Sequence, residues 1–231
     1  MSTEKKLRDL NVVFVGPCRD REAEKRAEAT ARQWSPEPVT CWYTGSSEIA
    51  SARCCLGASV ASHMPPNTDV VVMLDDDVRP SPVDLMGIIG RAAFDPTSPV
   101  VFSSYALRTP PGLEGNDDRI AHYLLGDSQV WGGLGCVAMT ADRFRFVHLG
   151  GAQPLVRVHP RLPHSAAPYR VGVYDDQWLS EDLYFCRVLH QLRVPTVLYP
   201  RCSAHGAVKV TSRFKMLDGA PLVSSLIVDE G

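Results

Sequence analysis

The sequence predicts an α/β fold with a mostly parallel central sheet flanked by helices, on three observations. Strand-sized apolar runs alternate with helical segments through the first part of the chain. The longest of those runs, Asp69-Val-Val-Val-Met-Leu74, reads as a strand buried on both faces, the pattern of a parallel sheet. The composition is that of an ordinary folded domain: 231 residues, 45% hydrophobic, 22% charged, formal net charge −2.

Each element has a local cause. Asn11-Val-Val-Phe-Val15 is a β-branched run that ends at the turn signal Gly16-Pro17. Asp20 to Trp34 is rich in Ala, Glu, Lys and Arg, with Asp20 as N-cap, and predicts a surface helix that Pro36 and Pro38 stop. Val39 to Tyr43 is the second strand. A second helix runs from about Glu48 to His63 and is broken at Pro65-Pro66-Asn67. After the Asp69–Leu74 strand, Ser81 caps a helix with Pro82 in its first turn and Leu85, Ile88 and Ile89 as its apolar stripe. Pro99 to Ser103 is a further strand.

The second half is less regular. Residues 107–128 read as a loop with one short helix, and Trp131-Gly-Gly-Leu-Gly135 leads into a strand at Cys136–Met139, with Thr140 as a helix cap. Residues 150–169 carry four prolines with His159 and His164, and predict a long, mobile surface loop. Ser180 to Arg193 is a helix and Val194 to Tyr199 the last strand.

Composition also excludes. With 24 basic and 26 acidic residues, the chain lacks the basic excess of a protein built on phosphate-backbone binding. Met1 to Leu10 is charged, without the apolar stretch of a signal peptide, and no run approaches the ~18 apolar residues of a membrane span. Seven cysteines, none in a CxxC pair, read as reduced thiols. A cytoplasmic location is the expectation.

Four constellations carry chemistry. Asp75-Asp76-Asp77 follows the buried strand, where three adjacent carboxylates repel one another unless a hard divalent cation, Mn²⁺ or Mg²⁺, or a solvated turn relieves them. Ser180-Glu181-Asp182 opens a helix; the acids there favour the helix dipole, or one of them takes a proton from an attacking hydroxyl. His205 lies beyond the last strand, where α/β folds place their sites. Arg53, on the helix before the acidic strand, is either a solvated arginine or a fork for phosphate.

In this order the pieces resemble the GT-A glycosyltransferases, the family-2-like group that uses nucleotide-sugar donors. The matching segments are Val12–Gly16, Ile49–Arg53 as I-x-x-A-R, Val70–Val78 with the DxD, Gly132–Thr140 as G-G-x-G, Ser180–Arg187 as x-E-D-x-x-F-C-x-R, and His205. The resemblance covers roughly residues 11 to 206 and implies one GT-A (Rossmann-like) domain over 1–231. Its nucleotide-sugar-binding half would be about 1–105, its acceptor-binding half about 106–206, and 207–231 a C-terminal tail.

The resemblance further implies Asp75, Asp77 and His205 as ligands of Mn²⁺ or Mg²⁺. Gly16, Pro17, Arg53, Asp75, Asp76 and Lys209 would lie along the nucleoside-diphosphate sugar. Asp182, with Glu181, would be the catalytic base of an inverting enzyme, and Trp131, Gly132 and Gly133 would border the acceptor. The acceptor would be a hydroxyl compound: a glycan, a small molecule, or a modified DNA base docked on the basic residues Arg157, His159, Arg161, His164 and Arg170. Two departures stand out: Cys54-Cys55 follow Arg53 where the family commonly has a polar residue, and no aromatic-rich acceptor platform is visible. The rival readings are a nucleotidyltransferase acting on sugar phosphates, an aspartate-based phosphatase or phosphoacceptor, and a non-catalytic nucleotide-sugar-binding domain. For the first, the expected Gly-rich phosphate loop is reduced to Gly16-Pro17-Cys18-Arg19.

Overall fold

The structure, a computed structural model, describes residues 7–43, 48–76, 78–105, 122–125, 129–150, 155–157, 161, 164–202, 209–217 and 220–229. The first half alternates as its sequence demands: β1 (Val12–Pro17), α1 (Arg21–Ala31), β2 (Val39–Tyr43), α2 (Ile49–His63), β3 (Val70–Leu74), α3 (Pro82–Phe94) and β4 (Val100–Ser104). A hairpin of β5 (His122–Leu125) and β6 (Gln129–Gly132) precedes β7 (Cys136–Thr140) and α4 (Ala141–Leu149). Two short ladders follow, β8 (Val156–Arg157) with β9 (His164–Ser165) and β10 (Gly172–Tyr174) with β11 (Gln177–Leu179). The chain continues through α5 (Glu181–Gln191), β12 (Thr196–Cys202), β13 (Lys209–Leu217) and β14 (Ala220–Asp229).

Side-chain caps begin four of the helices. Asp20 accepts from the Ala23 amide at 2.8 Å, and Ser81, Thr140 and Ser180 do the same for Asp84, Arg143 and Leu183. Each satisfies an amide that the helix leaves unpaired.

Six strands form one sheet in the order β12-β4-β7-β3-β1-β2. β1 pairs in parallel with β2 and β3, and β12 with β4, whereas β7 runs antiparallel to both of its neighbours. The fold is therefore α/β, a mostly parallel sheet flanked by helices. The period-2 alternation of β1 and β3 sorts their side chains between two cores. Val13, Val15, Val71 and Met73 join Phe144 of α4 and Phe185 of α5, while Val12, Phe14, Val70 and Val72 join Leu85, Ile88 and Ile89 of α3. Burying each such side chain contributes roughly 1.5–3 kcal/mol.

One expectation is corrected. The segment read as a long surface loop over 150–169 enters the core at its end: Ser165, Ala166, Ala167 and Tyr169 are buried. The Ala166 amide and the Ser165 hydroxyl both donate to the His148 carbonyl. Small residues there let the chain lie against α4, and Tyr169 supplies an apolar body with a polar tip. Within residues 207–231, β13 and β14 pair as an antiparallel hairpin. No helix of the described residues is long and apolar enough to cross a membrane.

Candidate functional site

Strand ends and helix starts converge where β3 finishes. Asp75 is the first residue beyond β3, and its amide donates to the Gly135 carbonyl at 2.8 Å. Gly135 is held on the other side by Tyr105, whose hydroxyl accepts from the Gly135 amide at 3.0 Å. A Cβ on Gly135 would come within 2.5 Å of Val78 and 2.8 Å of the Tyr105 ring, so glycine is required for this close approach.

Arg53 is the centre of the site. It sits near the start of α2, a helix buried on nearly every side, and its side chain is only 3% exposed. One terminal nitrogen donates to Glu181 at 3.0 Å and to Asp182 at 2.5 Å. The other donates to both oxygens of Asp75, at 2.9 and 2.8 Å. One guanidinium thus binds the acid at the strand end and the acid pair at the start of α5. Its fixed fork is what makes this geometry possible; an ammonium has no comparable plane.

The electrostatics follow from burial and charge count. Burial alone would lower the Arg53 pKa, but Asp75 and Asp182 more than reverse it, so the group stays charged. Asp182 is pushed up to about 6, chiefly by burial and then by Glu181 and Asp75, against the pull of Arg53. Burial likewise raises the Tyr105 phenol, with Asp75 and Asp182 adding to it. Cys18, at the end of β1, is pushed up to about 12 by burial and then by Asp76, so its thiol is protonated and no nucleophile.

Of the residues singled out in the sequence, Arg53, Asp75, Glu181 and Asp182 come together. Gly16 and Pro17 line a cleft of about 10 Å³ beside Arg53, together with Gly57, Asp75 and Tyr169. That is room for about one water molecule; the Arg53 Nε–H is buried and has no partner. Asp76 takes a different direction: it accepts from Arg19 Nε at 3.1 Å and lies 3.9 Å from Arg26. Trp131 is half-buried with its indole N–H unpartnered, the Gly132 carbonyl faces the Cys186 thiol of α5 at 3.7 Å, and Gly133 is buried. Lys209 begins β13. Asp77 and His205 lie outside the described residues.

Among the described residues, no group of three or more His, Cys, Asp or Glu side chains is arranged to hold a metal ion. Asp75 has the hard oxygens that Mn²⁺ or Mg²⁺ prefers, but both are taken by Arg53. The described residues therefore do not form a metal site by themselves.

Of the basic set, Arg157 and His164 are cross-strand partners in the β8–β9 ladder. Arg157, Arg161 and His164 are exposed and His159 lies outside the described residues. Arg170 is tied inward: its Nε donates to the Ala167 carbonyl at 3.3 Å and its guanidinium lies 5.8 Å from the Tyr184 ring centre.

Sequence reasoning missed Tyr105 and Tyr169. Tyr105 directly follows β4, and the rule that α/β sites gather at carboxyl ends of strands could have found it. Tyr169 was hidden by the prolines around it.

No protein-family model matches the chain, and no curated protein matches it. Among solved structures it is similar to CMP:2-keto-3-deoxy-manno-octonic acid synthetase complexed with CTP. The identity is 11% and the TM-score 0.44, over 86% of this chain and 93% of that one. What the site does has to follow from its own residues.

Proposed function

We propose that this chain is a glycosyltransferase that moves a sugar from a nucleoside-diphosphate sugar to an acceptor hydroxyl, with inversion at the anomeric carbon. The observation that supports it is the cluster itself: Arg53 ties Asp75, beyond β3, to Glu181 and Asp182 at the start of α5. A donor along the ends of β1 and β3 then lies beside a carboxylate whose pKa, about 6, suits a general base near neutral pH.

In this mechanism Asp182 accepts the proton of the acceptor hydroxyl as its oxygen attacks the anomeric carbon. The bond from that carbon to the diphosphate breaks, and its electron pair leaves with the nucleoside diphosphate. Arg53 is a positioning residue that holds Asp182 and Asp75 in register. Gly16 and Pro17 border the donor, and Trp131, Gly132 and Gly133 the acceptor. Residues of about 1–105 would form the donor half and those of about 106–206 the acceptor half. Bound Mn²⁺ or Mg²⁺ would supply Lewis-acid stabilisation of the leaving diphosphate. Asp75, Asp77 and His205 are its proposed ligands, and binding would require Arg53 to release an Asp75 oxygen.

A second reading, nucleotidyl transfer to a sugar phosphate, is favoured by one observation. Arg19 and Arg26 flank Asp76 near the end of β1, where a nucleoside triphosphate needs cations. One assay separates the two. The chain is incubated with Mn²⁺ and a panel of nucleoside-diphosphate sugars, or with nucleoside triphosphates plus sugar phosphates. Release of nucleoside diphosphate is the expected result, and release of pyrophosphate would replace the first reading with the second. Neither product, with no thermal shift from any donor, rejects both.

A further inference from the structure

β7 runs antiparallel between β3 and β4, so its start lies between the carboxyl ends of both neighbours. Leu74 pairs with Cys136, which sets Asp75 opposite Gly135. On the other side, among the described residues, β7 pairs with β4 at Val101–Ala138 and Phe102–Val137. The buried Gly135 amide lies two residues beyond that ladder and needs an acceptor from elsewhere. The Tyr105 hydroxyl, one residue past β4, supplies it at 3.0 Å.

Gly135 passes this contact on. Its amide donates to Tyr105, and its carbonyl accepts from the Asp75 amide at 2.8 Å. The Asp75 carbonyl accepts in turn from the Val78 amide at 3.3 Å, closing the turn after β3. Val78 and the Tyr105 ring both crowd the space that a Gly135 Cβ would fill, so a shift of the phenol is transmitted to the glycine and the turn. Asp75 is thus fixed through its backbone on this side and by the Arg53 fork at its carboxylate. The phenol itself is no base. Burial raises its pKa, and Asp75 and Asp182 push the same way, so it keeps its proton and serves as a neutral post.

We propose that Tyr105 is a positioning residue of the donor site, which through the Gly135 backbone sets where Asp75 meets the nucleoside-diphosphate sugar. This rests on the glycosyltransferase reading. The hydroxyl acts on donor binding and leaves the acceptor side alone, because the residue at the end of its link is Asp75.

The test is Tyr105→Phe in the whole chain, which keeps the ring against Gly135 and removes the acceptor. Amide hydrogen exchange at Gly135 and at Asp75 should rise about tenfold, while Val197 and Leu198 in β12 keep their wild-type rates. With Mn²⁺ present, the donor KM should rise about tenfold, and kcat and the acceptor KM should change by less than about threefold. A lower melting temperature with an unaltered donor KM overturns the proposal, since Tyr105 would then be a packing residue. So does faster exchange at Gly135 with none at Asp75, or a rise in the acceptor KM in place of the donor KM. Calorimetry with nucleoside di- and triphosphates of the common bases separates the two readings. If no sugar is transferred but nucleotide binding weakens about tenfold in Tyr105→Phe, the positioning role stands and the transferase reading falls. If the wild type binds none of these nucleotides, both fall.

Discussion

Arg53 donates to Asp182 at 2.5 Å across 129 residues of sequence, and the same guanidinium grips Asp75 on its other side. One buried cation therefore faces three carboxylates. Such a cluster is poor value as a stabilising device, because desolvating its members offsets much of their attraction. What it does achieve is geometry. The strand-end acid and the helix-start acids are held at fixed distances by a planar, permanently charged group, which suits a site that must align a donor with a base.

Removing Arg53 should thus cost more than the cluster contributes. Arg53→Met leaves Asp75, Glu181 and Asp182 partly buried without a counter-charge, and a loss of about 3–5 kcal/mol in urea unfolding is expected. Arg53→Lys keeps the charge and loses the fork, so its loss should be smaller while its activity stays low. A Met variant within about 1 kcal/mol of wild type would show that the cluster is not formed in solution.

Asp182→Asn should leave donor binding near its wild-type level and lower transfer by about 10²–10⁴-fold. In the wild type, kcat/KM should fall as pH drops below about 6, because the base becomes protonated there. The Asn variant should lack that limb. In Arg53→Lys, where the cation grips Asp182 less closely, the limb should move to higher pH. A wild-type profile flat from pH 8 to 5 would remove Asp182 from the role of base.

How much of this was legible follows from the range of each interaction. The strands, the helices and the caps at Asp20, Ser81, Thr140 and Ser180 depend on neighbours within a few residues, so the sequence displays them. The acid pair and Arg53 were visible as candidates, but their union was not, since Arg53 and Glu181 are 128 residues apart and meet only through packing of α2 against the sheet and α5. Pro168 and its fellow prolines made Tyr169 look like loop, whereas its burial depends on His148, 21 residues earlier. Asp76 was legible as a candidate by its place after β3, but its partner Arg19, 57 residues earlier in the loop after β1, was not.

Gly16 tests the sheet beneath the site. A Cβ there would stand 1.9 Å from the Leu74 carbonyl oxygen, a backbone atom that cannot step aside without moving β1 from β3. Gly16→Ala is expected to cost about 3 kcal/mol, read by urea unfolding. Unaltered stability would mean that β1 and β3 are spaced more widely than described.

His148 sets the acid limit of the fold. It is fully buried, stacked on Phe144 with ring centres 4.0 Å apart. Its Nδ1 lies 2.8 Å from the Phe144 carbonyl, an acceptor, so Nδ1 carries the proton and Nε2 accepts from the Tyr169 hydroxyl at 2.9 Å. Burial lowers its pKa from 6.5 to about 4. Between those values the unfolded chain binds the proton and the folded chain does not. The contribution is therefore whole above pH 6.5 and is lost as pH falls toward 4, by about 3 kcal/mol. Asp182 acts in the opposite sense. Its folded pKa, about 6, exceeds the ordinary 3.8, so its stabilising share is whole below 3.8 and is lost as pH rises toward 6. The two partly cancel in the wild type, and Asp182→Asn should unmask a steeper acid loss of stability. Adding His148→Gln, which can still accept from Tyr169 but does not titrate, should flatten it again. If urea unfolding from pH 7 to 4.5 shows the same slope with and without His148, the ring is already open to protons in the folded state.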